Sequence, residues 1–224
     1  MNNTRARKAF VEGAGTGLLL FVIVGSGIAA ERTTADPGVQ LLLHAVAVGA
    51  GLTVLIGVLV WVSGAHLNPA VTIGFWSRRS VDAPTAITYI VSQMCGAFAG
   101  VGLASLVFGE RLSATAAGPT TGGSIVGELV GTFFLVFAIL TLVDQDRATW
   151  IAAIVGGWVT AMILATPSGG LLNPAVTLAR TVTDTYTGVA RSTALAFALA
   201  QLLAGLLAAV FSRQLKLAVE LKGI

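Results

Sequence analysis

Two short boxes carry the residues whose types and spacing could do chemistry: Asn68-Pro69-Ala70-Val71-Thr72 and Asn173-Pro174-Ala175-Val176-Thr177. Asparagine caps a helix N-terminus well because its side-chain oxygen accepts an orphan backbone N–H. Proline suits the first helical turn, where its missing N–H would have no partner anyway. Each box therefore reads as the start of a helix. With the Asn oxygen held by the cap, its NH2 is left to donate to the oxygen of a passing polar molecule. That chemistry is solvation of a neutral solute, not bond making. No metal-ligand cluster, nucleophile triad or phosphate-binding glycine loop accompanies the boxes, so an enzyme, a cofactor or a metal is not expected. A lone Asn-Pro-Ala would read as a turn. Two of them, each followed by Val-Thr, sit at matching places in a repeat, and that favours a site.

The repeat shows which elements must position the boxes. Glu12, Gly15, Thr16 and Phe21 recur as Glu128, Gly131, Thr132 and Phe137, and Gln93 is matched by Gln201. Residues are 55% hydrophobic and 10% charged, against about 25% charged in ordinary soluble domains. Mean hydropathy is +0.88, so lipid is the expected solvent. A spanning helix needs about 20 apolar residues, and six segments qualify: 9–30, 39–62, 84–108, 124–143, 149–167 and 192–211. The pieces starting near Asn68 and Asn173 run to about ten residues, too short to span, and are expected to be re-entrant. Each half reads span, span, short piece, span. Three spans per half invert the second half, and inverted repeats place their site near the bilayer midplane. The expected fold is an all-α membrane protein of six transmembrane helices plus two re-entrant half-helices. It forms one domain over 1–224, with repeats at approximately 1–112 and 113–224. The two box N-termini then face each other in mid-membrane, where their positive dipole ends disfavour cations.

The N-terminal stretch has no signal-cleavage pattern, so the first apolar run reads as the first span. Nine Lys and Arg fall on the side of both termini and four on the other, which places both termini in the cytoplasm. The net charge of +3 comes without a basic block, so nucleic acid is not an expected partner. A single cysteine, Cys95, excludes an intrachain disulfide, and helix packing is its expected role. Packing is likewise the expected role of His44, among apolar residues of the second span. Glu12 and Glu128 are ionisable groups inside spans and therefore functional candidates.

Over nearly its whole length the chain resembles the major intrinsic protein family, the aquaporins and aquaglyceroporins. The resemblance is carried by Ser63-Gly64-Ala65-His66-Leu67-Asn68-Pro69-Ala70-Val71-Thr72, by Ser168-Gly169-Gly170-Leu171-Leu172-Asn173-Pro174-Ala175, and by the Glu12/Glu128 and Gln93/Gln201 pairs. It implies a pore in each protomer, a homotetramer, and passive passage of water and small uncharged solutes. It also implies that Glu12 and Glu128 hold the half-helices through loop N–H groups, and that His66 faces the pore.

One departure from the family pattern stands out. Most members place an Arg directly after the second box, where this chain has Val176. Counting from the boxes puts the other positions of the family's filter at Val48, at Ala161 or Met162, and at Gly170. Such a filter, without Arg, His or aromatic ring, is expected to be wide and apolar. It suits neutral solutes larger than water: glycerol, urea, boric acid, antimonite and neutral arsenicals. Family members lacking this Arg belong to bacterial arsenic-resistance settings, which implies a location in the bacterial inner membrane. Arg180, four residues after Val176 and on the same helical face, either guards the outer mouth or anchors a loop with Asp184. A plain water channel and, less favoured, an ion-coupled transporter are the alternative readings.

Overall fold

The computed structural model describes residues 3–115 and 121–222. Eight α-helices follow one another: α1 (Asn3–Thr33), α2 (Pro37–Ser63), α3 (Pro69–Ser77), α4 (Ala83–Phe108), α5 (Gly122–Asp144), α6 (Ile151–Ala165), α7 (Pro174–Ala179) and α8 (Arg191–Lys222). A 3₁₀ turn, Ala148–Trp150, leads into α6, and another, Arg180–Val182, succeeds α7. Six of these helices are long and apolar enough to cross a membrane.

Local chemistry explains the boundaries. Asp36 caps α2 by accepting from the N–H groups of Gly38 and Val39, and Pro37 fills the first turn. The helix stops at Gly64, whose φ of 95° is a left-handed stop that glycine tolerates best. Asp82 caps α4 through the N–H of Thr85, and Gly109 at φ 71° ends it. Helices α1 and α8 overrun the expected spans 9–30 and 192–211. Hydropathy falls beyond residue 211, but Ser212-Arg213-Gln214-Leu215-Lys216 contains no helix breaker. The second short piece is shorter than expected, with six α-helical residues against nine in α3.

Small residues let the long helices close on one another. A Cβ on Gly96 of α4 would stand 1.9 Å from the carbonyl oxygen of Gly13 on α1. At that separation any side chain would push the two helices apart. The outer surface carries a belt of exposed apolar side chains, among them Phe10, Val58, Trp61 and Leu106. Cys95 lies on this exposed surface. The expectation that it packs between helices is therefore corrected: its place on α4 turns away from the bundle. At one end of the bundle Arg78, just after α3, forms a two-pronged ion pair with Asp144 at 2.6 and 3.0 Å. Arg78 also donates to Ser212 at 3.2 Å, so one side chain ties the end of α3 to α5 and α8.

Candidate functional site

The two half-helices meet at their capped N-termini. Asn68 Oδ1 accepts from the N–H of Ala70 at 2.8 Å, and Asn173 Oδ1 accepts from Ala175 at 2.9 Å. Each amide also crosses to the other half. Asn68 Nδ2 donates to the Leu172 carbonyl at 2.9 Å, and Asn173 Nδ2 donates to the Leu67 carbonyl at 2.8 Å. One N–H of each amide is thus spent between the halves, and the second remains. Both asparagines line the cavity described below.

The crossing bonds need an unusual backbone. Leu67 and Leu172 sit at φ 49° and 52°, a left-handed conformation that costs a non-glycine residue roughly 1–2 kcal/mol. Two buried carboxyl groups hold it in place. Glu12 accepts from Ser63 Oγ at 2.6 Å, from the N–H groups of His66 at 3.0 Å and Leu67 at 2.7 Å, and from Gln93 Nε2 at 2.8 Å. Glu128 accepts from the N–H groups of Leu171 at 2.9 Å and Leu172 at 2.8 Å, and from Gln201 Nε2 at 2.6 Å. All these contacts run to the loops and to the neighbouring glutamine. Neither Glu is on the cavity wall.

An elongated cavity runs past both boxes. Its walls are stripes at helical spacing: His44, Val48, Leu52, Ile56 and Val60 on α2, and Ile151, Val155, Val159 and Ile163 on α6. Residues four apart share a helix face, so each stripe is a continuous wall. Leu135, Ile139 and Val143 of α5 and Leu19 and Ile23 of α1 add apolar surface. Besides His44, the polar side chains on the same cavity wall are Asn68, Asn173, His66 and Arg180.

The residues expected at a filter divide into those on this wall and those displaced from it. Val48, Gly170 and Val176 line the cavity. Ala161 and Met162 do not, which corrects the count along α6: Ile163 lines it instead, with Val159 one turn further in. Ala161 is exposed, and Met162 is buried beside Gly131 of α5. Helical phase is the reason. The stripe 151, 155, 159, 163 fixes the inward face, and Ala161 and Met162 fall off it. Gly170 backs directly onto this point, since a Cβ there would stand 2.6 Å from the Met162 carbonyl carbon and 2.8 Å from the Ile163 nitrogen.

His66 stacks on Phe75 at 4.6 Å between ring centres, and its Nδ1 lies 3.1 Å from Thr72 Oγ1. His44, expected to pack, is on the cavity wall, with its Nδ1 2.9 Å from Ser26 Oγ. The signal was present in the sequence, because His44 precedes Val48 by four residues. Arg180 also lines the cavity, and its Nε donates to the Thr187 carbonyl. Among the described residues it forms no ion pair, so the expected partnership with Asp184 is absent.

Six membrane-length helices, two half-helices joined at their N-termini and a cavity running past that junction define a multi-pass membrane channel. A family model described as major intrinsic protein matches residues 1–167. The chain belongs to the major intrinsic protein family and is a passive channel for water and small solutes. It is 37% identical over 186 residues to aquaglyceroporin AqpS of Rhizobium meliloti, covering 82% of this chain and 78% of that one. It is 35% identical over 150 residues to the probable aquaporin PIP2-8 of Arabidopsis thaliana, covering 63% of this chain and 54% of the plant protein. The chain thus spans about half the length of that plant relative. The X-ray structure of the aquaglyceroporin from Plasmodium falciparum superposes with a TM-score of 0.73 over 94% of both chains, at 22% identity, and so supports the fold.

Proposed function

We propose that this channel carries neutral solutes larger than water, namely glycerol, urea, boric acid and the neutral forms of arsenic and antimony hydroxides, as well as water itself. The observation that supports this reading is the composition of the wall at the filter positions that line the cavity. Val48, Ile163, Gly170 and Val176 contribute two valines, an isoleucine and a glycine, with no guanidinium, imidazole or aromatic ring. An apolar wall of short side chains imposes little steric selection, and it favours solutes that keep one apolar face. Asn68 and Asn173 then supply donors for the solute's oxygens at the centre. The first-turn N–H groups of α3 and α7 add a positive potential that turns cations away. His66 adds a polar step on the other side of the boxes, while Glu12 and Glu128 hold the loops. The name aquaglyceroporin of the Rhizobium relative agrees with glycerol-sized cargo. The assembly is a homotetramer of single-domain protomers, each built of two inverted repeats, in the cell membrane with both termini cytoplasmic.

A stopped-flow panel of water, glycerol, urea and arsenous acid in proteoliposomes tests the proposal. Val176→Arg sharpens the test. A long side chain with five N–H donors there would narrow the passage yet still bond water. The ratio of glycerol to water permeability is expected to fall by about tenfold, a barrier difference of roughly 1.4 kcal/mol. An unchanged ratio would mean that Val176 does not line the constriction and would leave a plain water channel.

A further inference from the structure

The apolar ring lacks a cation, but a cation is present one turn away. Val176 and Arg180 are four apart along α7 and its 3₁₀ continuation, and His44 and Val48 are four apart on α2. Each pair therefore shares a face, with a separation of about 5–6 Å along the axis. Helix α7 runs away from the central junction, and α2 runs toward it. Arg180 and His44 are thus displaced from the ring in the same direction, and both are on the cavity wall.

One loop holds the two side chains together. Arg180 Nε donates to the Thr187 carbonyl, and the Arg180 carbonyl accepts from Val189 N–H at 3.1 Å. The ring of Tyr186, the residue before Thr187, meets the His44 ring edge-on at 5.7 Å. The Tyr186 N–H donates to Glu31 at 3.1 Å, which fastens the loop to α1. The guanidinium is therefore held by its Nε edge. Its Nη1 and Nη2 groups have no hydrogen-bond partner and no carboxylate within ion-pair distance among the described residues, although the Glu128 carboxylate is near enough to act on the charge. On the histidine, Nδ1 is engaged by Ser26 and Nε2 has no partner among the described residues. None of these groups is among the buried, unpartnered side-chain atoms of the described residues, and both residues line the cavity, so their free edges open on it.

We infer that His44 and Arg180 form a second selectivity station, one helical turn outside the apolar ring, with two separable functions. The guanidinium supplies the fixed positive charge that the ring lacks, so cations are rejected before they reach it. The open Nη edge and the imidazole receive oxygen atoms of the entering solute. The geometry of two parallel N–H donors fits a neutral solute with two oxygens on adjacent atoms or on one central atom, such as a vicinal diol or a polyhydroxide. A solute of that class is held by its oxygens at the station, passes its apolar face along Val48, Ile163 and Val176, and is caught again by the asparagine amides. The inference rests on the proposed passage of such solutes for its substrate class, but not for its charge barrier.

Three variants test it, each reconstituted after assembly is checked by size exclusion. Arg180→Gln keeps an NH2 group and removes the charge, and sodium entry, read with a trapped sodium-sensitive dye, is expected to rise about tenfold. Arg180→Lys keeps the charge and loses the planar fork. Sodium exclusion should remain, while glycerol permeability relative to urea falls by about threefold. His44→Ala opens the station, and urea and glycerol should both speed up with sodium still excluded. The station is overturned if Arg180→Gln and Arg180→Lys behave alike. It is also overturned if water, urea and glycerol fall together in both, the pattern of a structural clasp. Should the Arg180 variants fail to assemble, His44→Ala decides, and wild-type solute rates in that variant overturn the station. A wild type that passes no glycerol defeats the solute reading alone, because the sodium measurements still judge the charge barrier.

Discussion

The loops leading into Asn68 and Asn173 share a backbone path but differ in how they are held and in the half-helix each one feeds. Residues 64, 65 and 67 lie at φ 95°, 46° and 49°, and residues 169, 170 and 172 at 74°, 55° and 52°. Both loops hand two backbone N–H groups to a buried Glu and one carbonyl to the opposite Asn. Beyond that the halves part. The first loop adds Ser63 as a further donor to Glu12 and carries His66, where the second has Leu171. The first half-helix continues for nine residues, and the second for six before it tightens into the 3₁₀ turn Arg180–Val182. The shared part is what two strained leucines require to survive without water. Of the divergent part, His66, Leu171 and Arg180 are on the cavity wall.

Removing the carboxyl groups should tell the two halves apart most strongly. Glu12→Ala strands two backbone N–H groups, the Ser63 hydroxyl and the Gln93 amide. Glu128→Ala strands two N–H groups and the Gln201 amide. Each unpaired buried donor costs about 1–3 kcal/mol, so both variants should lose assembled, flux-competent protein. Glu12→Ala should lose more. The readouts are the assembled fraction in detergent and water flux in proteoliposomes, and a more damaging Glu128→Ala contradicts the account.

A milder contrast uses one matched position. Gly170→Ala adds a methyl 2.6 Å from the Met162 carbonyl carbon, in backbone that must give way. A destabilisation of about 1–3 kcal/mol is expected from overpacking alone. The push also displaces the Met162–Ile163 turn, so solute flux should fall along with thermal stability. Ala65→Gly, at the corresponding place, relieves a left-handed alanine and should change stability by less than about 1 kcal/mol. Equal effects in the two variants would show that the loops are not packed differently at this point.

Much of this arrangement was legible in the sequence. The long apolar segments, the paired boxes and the Glu and Gln matches are statements about type and spacing, and type and spacing decide helix length, capping and hydrogen-bond partners. What was not legible depended on phase and on loop length. Counting back from Asn173 to Ala161 or Met162 runs through a loop whose length no local pattern specifies, and two residues rotate a helix by about 200°. The stripe Ile151, Val155, Val159, Ile163 gives the phase directly, but an α6 apolar nearly all round offers no contrast by which to see it. The sequence points to packing for His44 because its neighbours in the chain are apolar. Its neighbours in space are Ser26, Tyr186 and the cavity. Arg180 was placed by its four-residue spacing, whereas its partner Thr187 comes from a loop whose path no local pattern specifies. Cys95 shows the complementary difficulty, because in lipid an apolar environment lies outside the bundle as well as within it.

The finest contrast is between two glutamines that look equivalent in the repeat. Gln93 Nε2 donates to Glu12 at 2.8 Å and to Thr72 at 3.1 Å, but its own Oε1 is buried without a partner among the described residues. Gln201 Nε2 donates to Glu128 at 2.6 Å and to Thr177 at 2.8 Å, and its Oε1 accepts from Thr177 at 3.1 Å. In Gln93→Leu, Glu12 keeps three donors, and Thr72 keeps the Asn68 carbonyl and His66. The substitution also removes an unpaired oxygen, which recovers part of its cost. In Gln201→Leu, Glu128 keeps two donors and the Thr177 hydroxyl loses its side-chain partner. Gln201→Leu should therefore be the more destabilising by about 1–2 kcal/mol, seen as an apparent Tm lower by roughly 2–8 °C at this chain length. Matched melting curves in one detergent give the comparison. If Gln93→Leu melts first, the unpaired oxygen has a partner that the geometry leaves out, and the two halves are closer to symmetric than their hydrogen bonds imply.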